Sequence, residues 1–259
     1  MIASLGMYDF GPAMAANDRL WAGIRDRLRA AGQPAPDALT RGEAAFWPAW
    51  MDPALVLSQT CGYPYRARLH GKVALVATPD YGLPGCPPGH YHSVLVARAD
   101  DPRDRIEAFD AAPMAFNEEL SQSGWAAPAQ HLIGLGLTPC PVLRTGGHRL
   151  SAQAVAAGRA DLAGLDALTW AMLQGQEPAA KALKVVGQTA PTPALPFIAG
   201  QGADRAALLP ALRGAIAALS PADRTTLHLQ GLVEIPAAAY LAVPTPPPPV
   251  HFGWSQVSD

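Results

Sequence analysis

Short apolar runs alternate along this chain with longer stretches in which apolar residues recur every three or four positions. The runs at 2–8, 55–59, 73–78, 93–99, 114–117, 160–166, 183–188 and 196–199 read as strands. Most are apolar at successive positions, as in strands covered on both faces. Helix-like stretches fall at 13–31, 124–135, 151–158, 167–173 and 205–219. In the first of them Leu20, Ile24 and Leu28 stand at i, i+4 and i+8, and Gly32 supplies a stop. Such alternation predicts an α/β fold with largely parallel sheets. In that class ligands collect at the carboxyl ends of strands. Five candidate strand ends carry polar groups there: Tyr8 and Asp9; Gln59 and Thr60; Ser121, Gln122 and Ser123 after Asn117; Thr145 to His148 after Val142 and Leu143; and Asp166.

Composition narrows the classes. The 259 residues are enough for one large domain or two smaller lobes with a well-buried core. Apolar residues at 49% with only 15% charged residues exclude a disordered chain. A net charge of -2 without a basic cluster argues against nucleic acid as a partner. Arg25, Arg27 and Arg29 read as a solvated helix face. The segment VPTPPPPVHFGW, from Val243, is expected to be polyproline II or disordered, either a plain tail or a docking ligand. Cys61, Cys86 and Cys140 are odd in number and lack a C-x-x-C spacing, which fits a reducing compartment better than a disulfide framework. No run approaches the roughly 20 apolar residues of a membrane span. The N-terminus MIASLGMYDFG shows no signal-peptide pattern. A cytoplasmic protein is expected from the sequence as given, and a periplasmic one if an export signal is missing from this chain.

The candidate chemistry points to an anion. In NEELSQSGWAA two hydroxyls and an amide precede a helix pattern, and a helix start offers unpaired N–H groups and partial positive charge. Ser121–Ser123 is either an anion grip or a plain N-cap. In TGGHRLS, His148 is either a ligand donor or a loop histidine ahead of a helix capped by Ser151. Asp166 either meets a ligand ammonium, orients His148 or caps the next helix. The phosphate-loop, serine-hydrolase and zinc-protease motifs G-x-x-x-x-G-K-[ST], G-x-S-x-G and H-E-x-x-H are absent. GLGLTPC lacks the strand–loop–helix setting of a dinucleotide loop. His90 and His92 near Cys86 are more simply incidental than a zinc site, and Cys61 reads as a small buried thiol rather than a nucleophile. No cofactor or metal is expected.

Taken in order, SQSG after a strand, TGGH with Ser151 three residues on, the run Gly158, Ala160, Asp161, Ala163, Asp166, and PTPALPF from Pro191 resemble the phosphate/phosphite/phosphonate substrate-binding family of ABC importers. PDYGLPGCPPGHYHSVLVAR is similar to that family's segment between lobes. The resemblance spans roughly Tyr8 to Phe197. It implies a type 2 periplasmic-binding-protein fold, with a ligand cleft between two α/β lobes joined by a two-stranded hinge. The lobes would be residues 1–81 with 188–259, tail included, and residues 82–187. The implied ligand residues are Tyr8, Thr60, Tyr81, Tyr91, Ser121, Gln122, Ser123, His148 and Asp166. Gln122 departs from the family, which usually has a small hydroxyl residue there. The implied function is non-covalent binding of a small phosphate- or phosphonate-like anion, either beside an ABC permease as partner or in a cytosolic relative that acts as a sensor or carrier. The alternative is a cytosolic metabolite-processing enzyme on the same fold, as in menaquinone-pathway and thiamine-precursor families.

Overall fold

The computed structural model describes residues 1–255. It divides into two compact units, Met1–His90 with Pro193–Ala242 and Tyr91–Thr192 with the described chain from Val243 to residue 255. The chain thus changes unit at 90/91 and 192/193, where the sequence suggests 81/82 and 187/188.

The first unit is built on a five-stranded sheet in the order Ile2–Ser4, Leu55–Gln59, Phe197–Gly200, Val73–Asp80, Gly231–Val233. The first two strands are parallel. Phe197–Gly200 runs antiparallel to both of its neighbours, and Gly231–Val233 antiparallel to Val73–Asp80. The helix Ala13–Ala30 buries Leu20, Ile24 and Leu28 and packs against Arg205–Ala217. Gly32, at φ +75°, follows its end in the left-handed conformation that glycine adopts at least cost. The expected strand at 2–8 stops at Ser4, and Gly6–Tyr8 forms a 3-10 turn instead. A Cβ on Gly6 would lie 3.1 Å from Ala45 and 3.2 Å from the Phe46 ring, so the chain bends where a larger residue would crowd.

The second unit has its own five-stranded sheet in the order Cys140–Arg144, Pro113–Phe116, Leu162–Asp166, Ser93–Arg98, Leu183–Gln188. Its first three strands are mutually parallel, and Ser93–Arg98 is antiparallel to both neighbours. Both sheets are therefore mixed, which corrects the expectation of largely parallel sheets. The reason lies in where the chain enters. After Pro193 it joins the first sheet at the edge where Leu55–Gln59 ends, since Phe197 pairs with Gln59, and it can only run backward from there. Ser93 likewise pairs with Asp166, the last residue of its neighbour.

The tail also departs from expectation. Its described part, up to residue 255, belongs to the second unit and not the first. It forms a 3-10 turn at Pro249–Phe252 and buries Pro246 and Pro249. Proline-rich chain loses little entropy on ordering, so a few ring contacts suffice to hold it. Residues 256–259 lie outside the described residues.

Gly164, in the strand Leu162–Asp166, lets that strand and the helix beginning at Ala127 come together. A Cβ there would stand 2.2 Å from Pro128 Cγ and 3.0 Å from the Ser123 carbonyl oxygen. Gly164→Ala is expected to lower unfolding free energy by about 1–3 kcal/mol through overpacking. An unchanged urea midpoint would show that the contact relaxes freely.

Candidate functional site

Parallel pairing sets the geometry of the second unit. Phe116 pairs with Arg144, and Ala115 with Ala163, so three carboxyl ends lie along one edge of the sheet. Each is followed by a helix. These begin at Gln122, His148 and Ala167. Ser93 starts its strand at this edge, two residues after the buried Tyr91, and its N–H donates to Thr189 Oγ1 at 2.9 Å.

The segment after Phe116 is tightly held. Ser121 is the N-cap of the turn Gln122–Ala126, and its Oγ accepts the Gly124 N–H at 2.9 Å. That turn runs directly into the helix Ala127–Gly134. Asn117 lies against Gly124, where a Cβ would meet the amide carbon at 2.6 Å. Gly124 is therefore needed to clear Asn117, a side-chain contact that the SQSG spacing alone does not disclose. Gln122 and Ser123 are buried. The Ser123 N–H lies in the first turn, where no intrahelical acceptor exists.

The second helix starts at His148, three residues before the expected start, with Gly147 as N-cap. Ser151 is consequently not its cap. Its hydroxyl meets Thr145 Oγ1 at 2.7 Å and donates to Asn117 Oδ1 at 3.2 Å. Thr145 Oγ1 donates to the Phe116 carbonyl at 3.1 Å. Asn117, Thr145 and Ser151 thus lock the two loops together. This structural part of Asn117 has one signal in the sequence, its place directly after the strand Pro113–Phe116.

Ser123 Oγ and His148 Nε2 are 2.9 Å apart, a hydrogen bond that joins the first turns of the two helices. The donor is set by the ring tautomer. His148 Nδ1 is buried without a partner, although the residue as a whole is only partly covered. Burial lowers the His148 pKa from 6.5 to about 4, with the Gly164 backbone pulling in smaller part the other way. The ring is neutral at pH 7. Asp166, 1% exposed, is the N-cap of the third helix, and its Oδ1 accepts the Thr169 N–H at 2.9 Å.

The first unit gathers Tyr8, Thr60 and Tyr81 in the same manner. Ser4, Gln59 and Asp80 end strands at one edge of its sheet. The Tyr8 and Tyr81 rings meet edge to face at 5.3 Å. Gln59 Nε2 donates to Tyr81 OH at 2.8 Å and to the Leu195 carbonyl at 3.0 Å, and the buried Thr60 takes the Pro196 carbonyl on its N–H at 3.1 Å. Leu5, Tyr8, Leu20, Gln59, Tyr81 and Phe197 border a small, mainly apolar pocket. Asp9, which the sequence places beside Tyr8, is bound by Arg41 at 2.7 Å and by Asn17 at 3.0 Å. Cys61 is buried and N-caps the helical turn at Gly62–Pro64. Among the described residues, no three His, Cys, Asp or Glu side chains gather as a metal site. No described helix is long and apolar enough to cross a membrane.

Two α/β units, each with a mixed sheet and polar groups at the strand ends, define the class of periplasmic-binding-protein folds. Among solved structures, PhnD1 from Prochlorococcus marinus in complex with methylphosphonate is 15% identical, with a TM-score of 0.68 over 92% of this chain and 94% of that one. XAC2383 from Xanthomonas citri bound to ATP is 17% identical, with a TM-score of 0.66 over 92% of each chain. A binding protein component of an ABC phosphonate transporter (PA3383) from Pseudomonas aeruginosa is 16% identical, with a TM-score of 0.64 over 90% of this chain and 80% of that one. These likenesses show the fold. No curated protein matches the chain. Residues 55–239 match the family described as "ABC transporter, phosphonate, periplasmic substrate-binding protein". The chain belongs to this family of phosphonate ABC-transporter substrate-binding proteins.

The buried ring of His148 gives a pH signature. Unfolded, it titrates near 6.5; folded, near 4. Between these values the unfolded chain binds more protons, so stability falls as pH drops from about 6.5 to about 4 and is unaffected by this group at higher pH. The expected loss is about 1–3 kcal/mol. His148→Gln should flatten that part of the profile in urea titrations at pH 7 and pH 4.5. An equal acid loss in both proteins would assign it to other groups.

Proposed function

We propose that the protein binds a phosphorus oxyanion of the phosphonate class and that its second unit grips the anionic head. The observation that carries this reading is the Ser123–His148 bond, because it holds two helix starts together at one sheet edge. The donors are the Ser123 N–H, the first-turn N–H groups of the helix His148–Ala156 and, with the His148 proton on Nε2 and donated to Ser123 Oγ, the Ser123 hydroxyl. They suit an anion without any lysine or arginine, since unpaired first-turn N–H groups and the helix dipole both favour negative charge. A neutral His148 has one ring N–H, which on Nε2 is donated to Ser123 Oγ and turns the hydroxyl proton towards the ligand, with no need for ring protonation at physiological pH.

Ser121 supports the grip as a cap. Gln122 replaces the small hydroxyl residue usual in the family and tunes head-group selectivity. Asp166 and Tyr91, at the same edge of the second unit, are assigned to the ligand's substituent, with Asp166 favouring an amine. Tyr8, Thr60 and Tyr81 are assigned as ligand contacts on the first unit. The methylphosphonate complex of PhnD1 supports the ligand class, and family membership supports delivery of the ligand to an ABC permease.

Isothermal titration with methylphosphonate, aminoalkyl phosphonates, phosphite, phosphate and sulfate tests the proposal. At least one phosphorus oxyanion should bind, and Ser123→Ala should weaken it by about 1–3 kcal/mol through loss of a charge-assisted hydrogen bond. Binding that is unchanged in Ser123→Ala would remove this residue from the site. Binding of none of these anions by the wild-type protein would overturn the ligand class.

A further inference from the structure

The proline-rich tail lies outside the family match, which ends at residue 239. Its rings nonetheless reach the two ends of the segment that carries the anion-site residues. Phe116 is the last residue of its strand, directly before Asn117, and Trp125 follows Gly124; both rings are fully buried. The Trp254 ring meets Phe116 edge to face at 5.3 Å, and the Phe252 ring meets Trp125 at 5.9 Å. Phe116 and Trp125 are themselves 5.6 Å apart. Four rings therefore close the base of the loop 117–124, and the tail contributes two of them.

This arrangement is more than a general contribution to the core. The Phe116 carbonyl accepts both the Thr145 N–H and the Thr145 hydroxyl, so a shift of Phe116 reaches the second loop directly. Trp125 lies two residues after Ser123 in the same turn, and its N–H donates to the Ser121 carbonyl. Trp125 Nε1 is buried without a hydrogen-bond partner, so ring contacts rather than a polar bond hold the indole in place.

We propose that the segment from Pro246 to Trp254 is a clasp, with Phe252 and Trp254 as positioning residues that fix the loop 117–124 through Trp125 and Phe116. The clasp stands on this geometry alone. Its effect on ligand affinity rests in addition on the phosphonate reading given above.

The test is the full-length double variant Phe252→Ala/Trp254→Ala, compared with Phe252→Tyr/Trp254→Phe, which keeps both rings. Amide hydrogen exchange at 117–126 should become about tenfold faster in the alanine variant, while the central strand Leu162–Asp166 keeps its protection. The ring-retaining variant should behave as wild type. A merely stabilising tail would raise exchange equally across the second unit, and that result, or no change at 117–126, would overturn the clasp. Methylphosphonate affinity is measured on the same proteins and should fall several-fold in the alanine variant only. Unchanged affinity alongside faster loop exchange would overturn the link from clasp to ligand. If wild-type protein binds no phosphorus oxyanion, the ligand reading fails, and the exchange result still decides whether the clasp exists.

Discussion

Parallel pairing of three strands is the constraint on which the candidate site depends. Because Cys140–Arg144, Pro113–Phe116 and Leu162–Asp166 run the same way, their carboxyl ends share one sheet edge. Each chain must then turn into a helix, and each helix start leaves N–H groups that its own backbone cannot satisfy. Part of that deficit is met locally. Ser121 Oγ takes the Gly124 N–H, and Asp166 takes the Thr169 N–H. The remaining donors, with Ser123 and His148 linked across them, form a surface suited to an external acceptor. Fold, capping and the proposed anion grip thus rest on the same backbone geometry.

Close packing keeps this surface rigid. Gly124 makes room for Asn117, Gly164 for Pro128, and the Asn117–Ser151–Thr145 bonds fix one loop against the other. Each of these contacts leaves little slack, so small changes in volume should be felt at the donors themselves. Behind them lie the buried rings of Phe116 and Trp125, met by two rings from a segment more than one hundred residues further along the chain.

Much of this architecture was legible in the sequence, and the rest was not for identifiable reasons. The strands Leu55–Gln59 and Leu183–Gln188 are bounded as their apolar runs suggest, and Ala13–Ala30 ends within a residue of its expected stop. Strand direction was not legible, because it depends on the edge at which the chain enters each sheet. Gly231–Val233, with three residues, is too short to show a period. The cap roles of Ser121 and Asp166 follow from residue type and position. The cap expected at Ser151 is not found, because capping turns on where the helix begins, and Gly147 rather than the serine sets that point. The contact between Asn117 and Gly124 leaves no pattern, since it joins a side chain to the place where another is missing. The polyproline II expectation fits Pro248, at φ -67° and ψ 159°, but the anchoring of the tail was not legible, because proline content reports the lack of backbone donors and says nothing of Phe252 and Trp254.

The central claim is that two joined helix starts in the second unit hold a phosphorus oxyanion. Backbone amide chemical shifts, followed while methylphosphonate is added to the isotope-labelled protein, test it most directly. The account predicts the largest shifts at the N–H groups of Ser123, His148 and Arg149, saturating together with a single affinity. Saturable shifts centred on other residues, with these three unmoved, would contradict it.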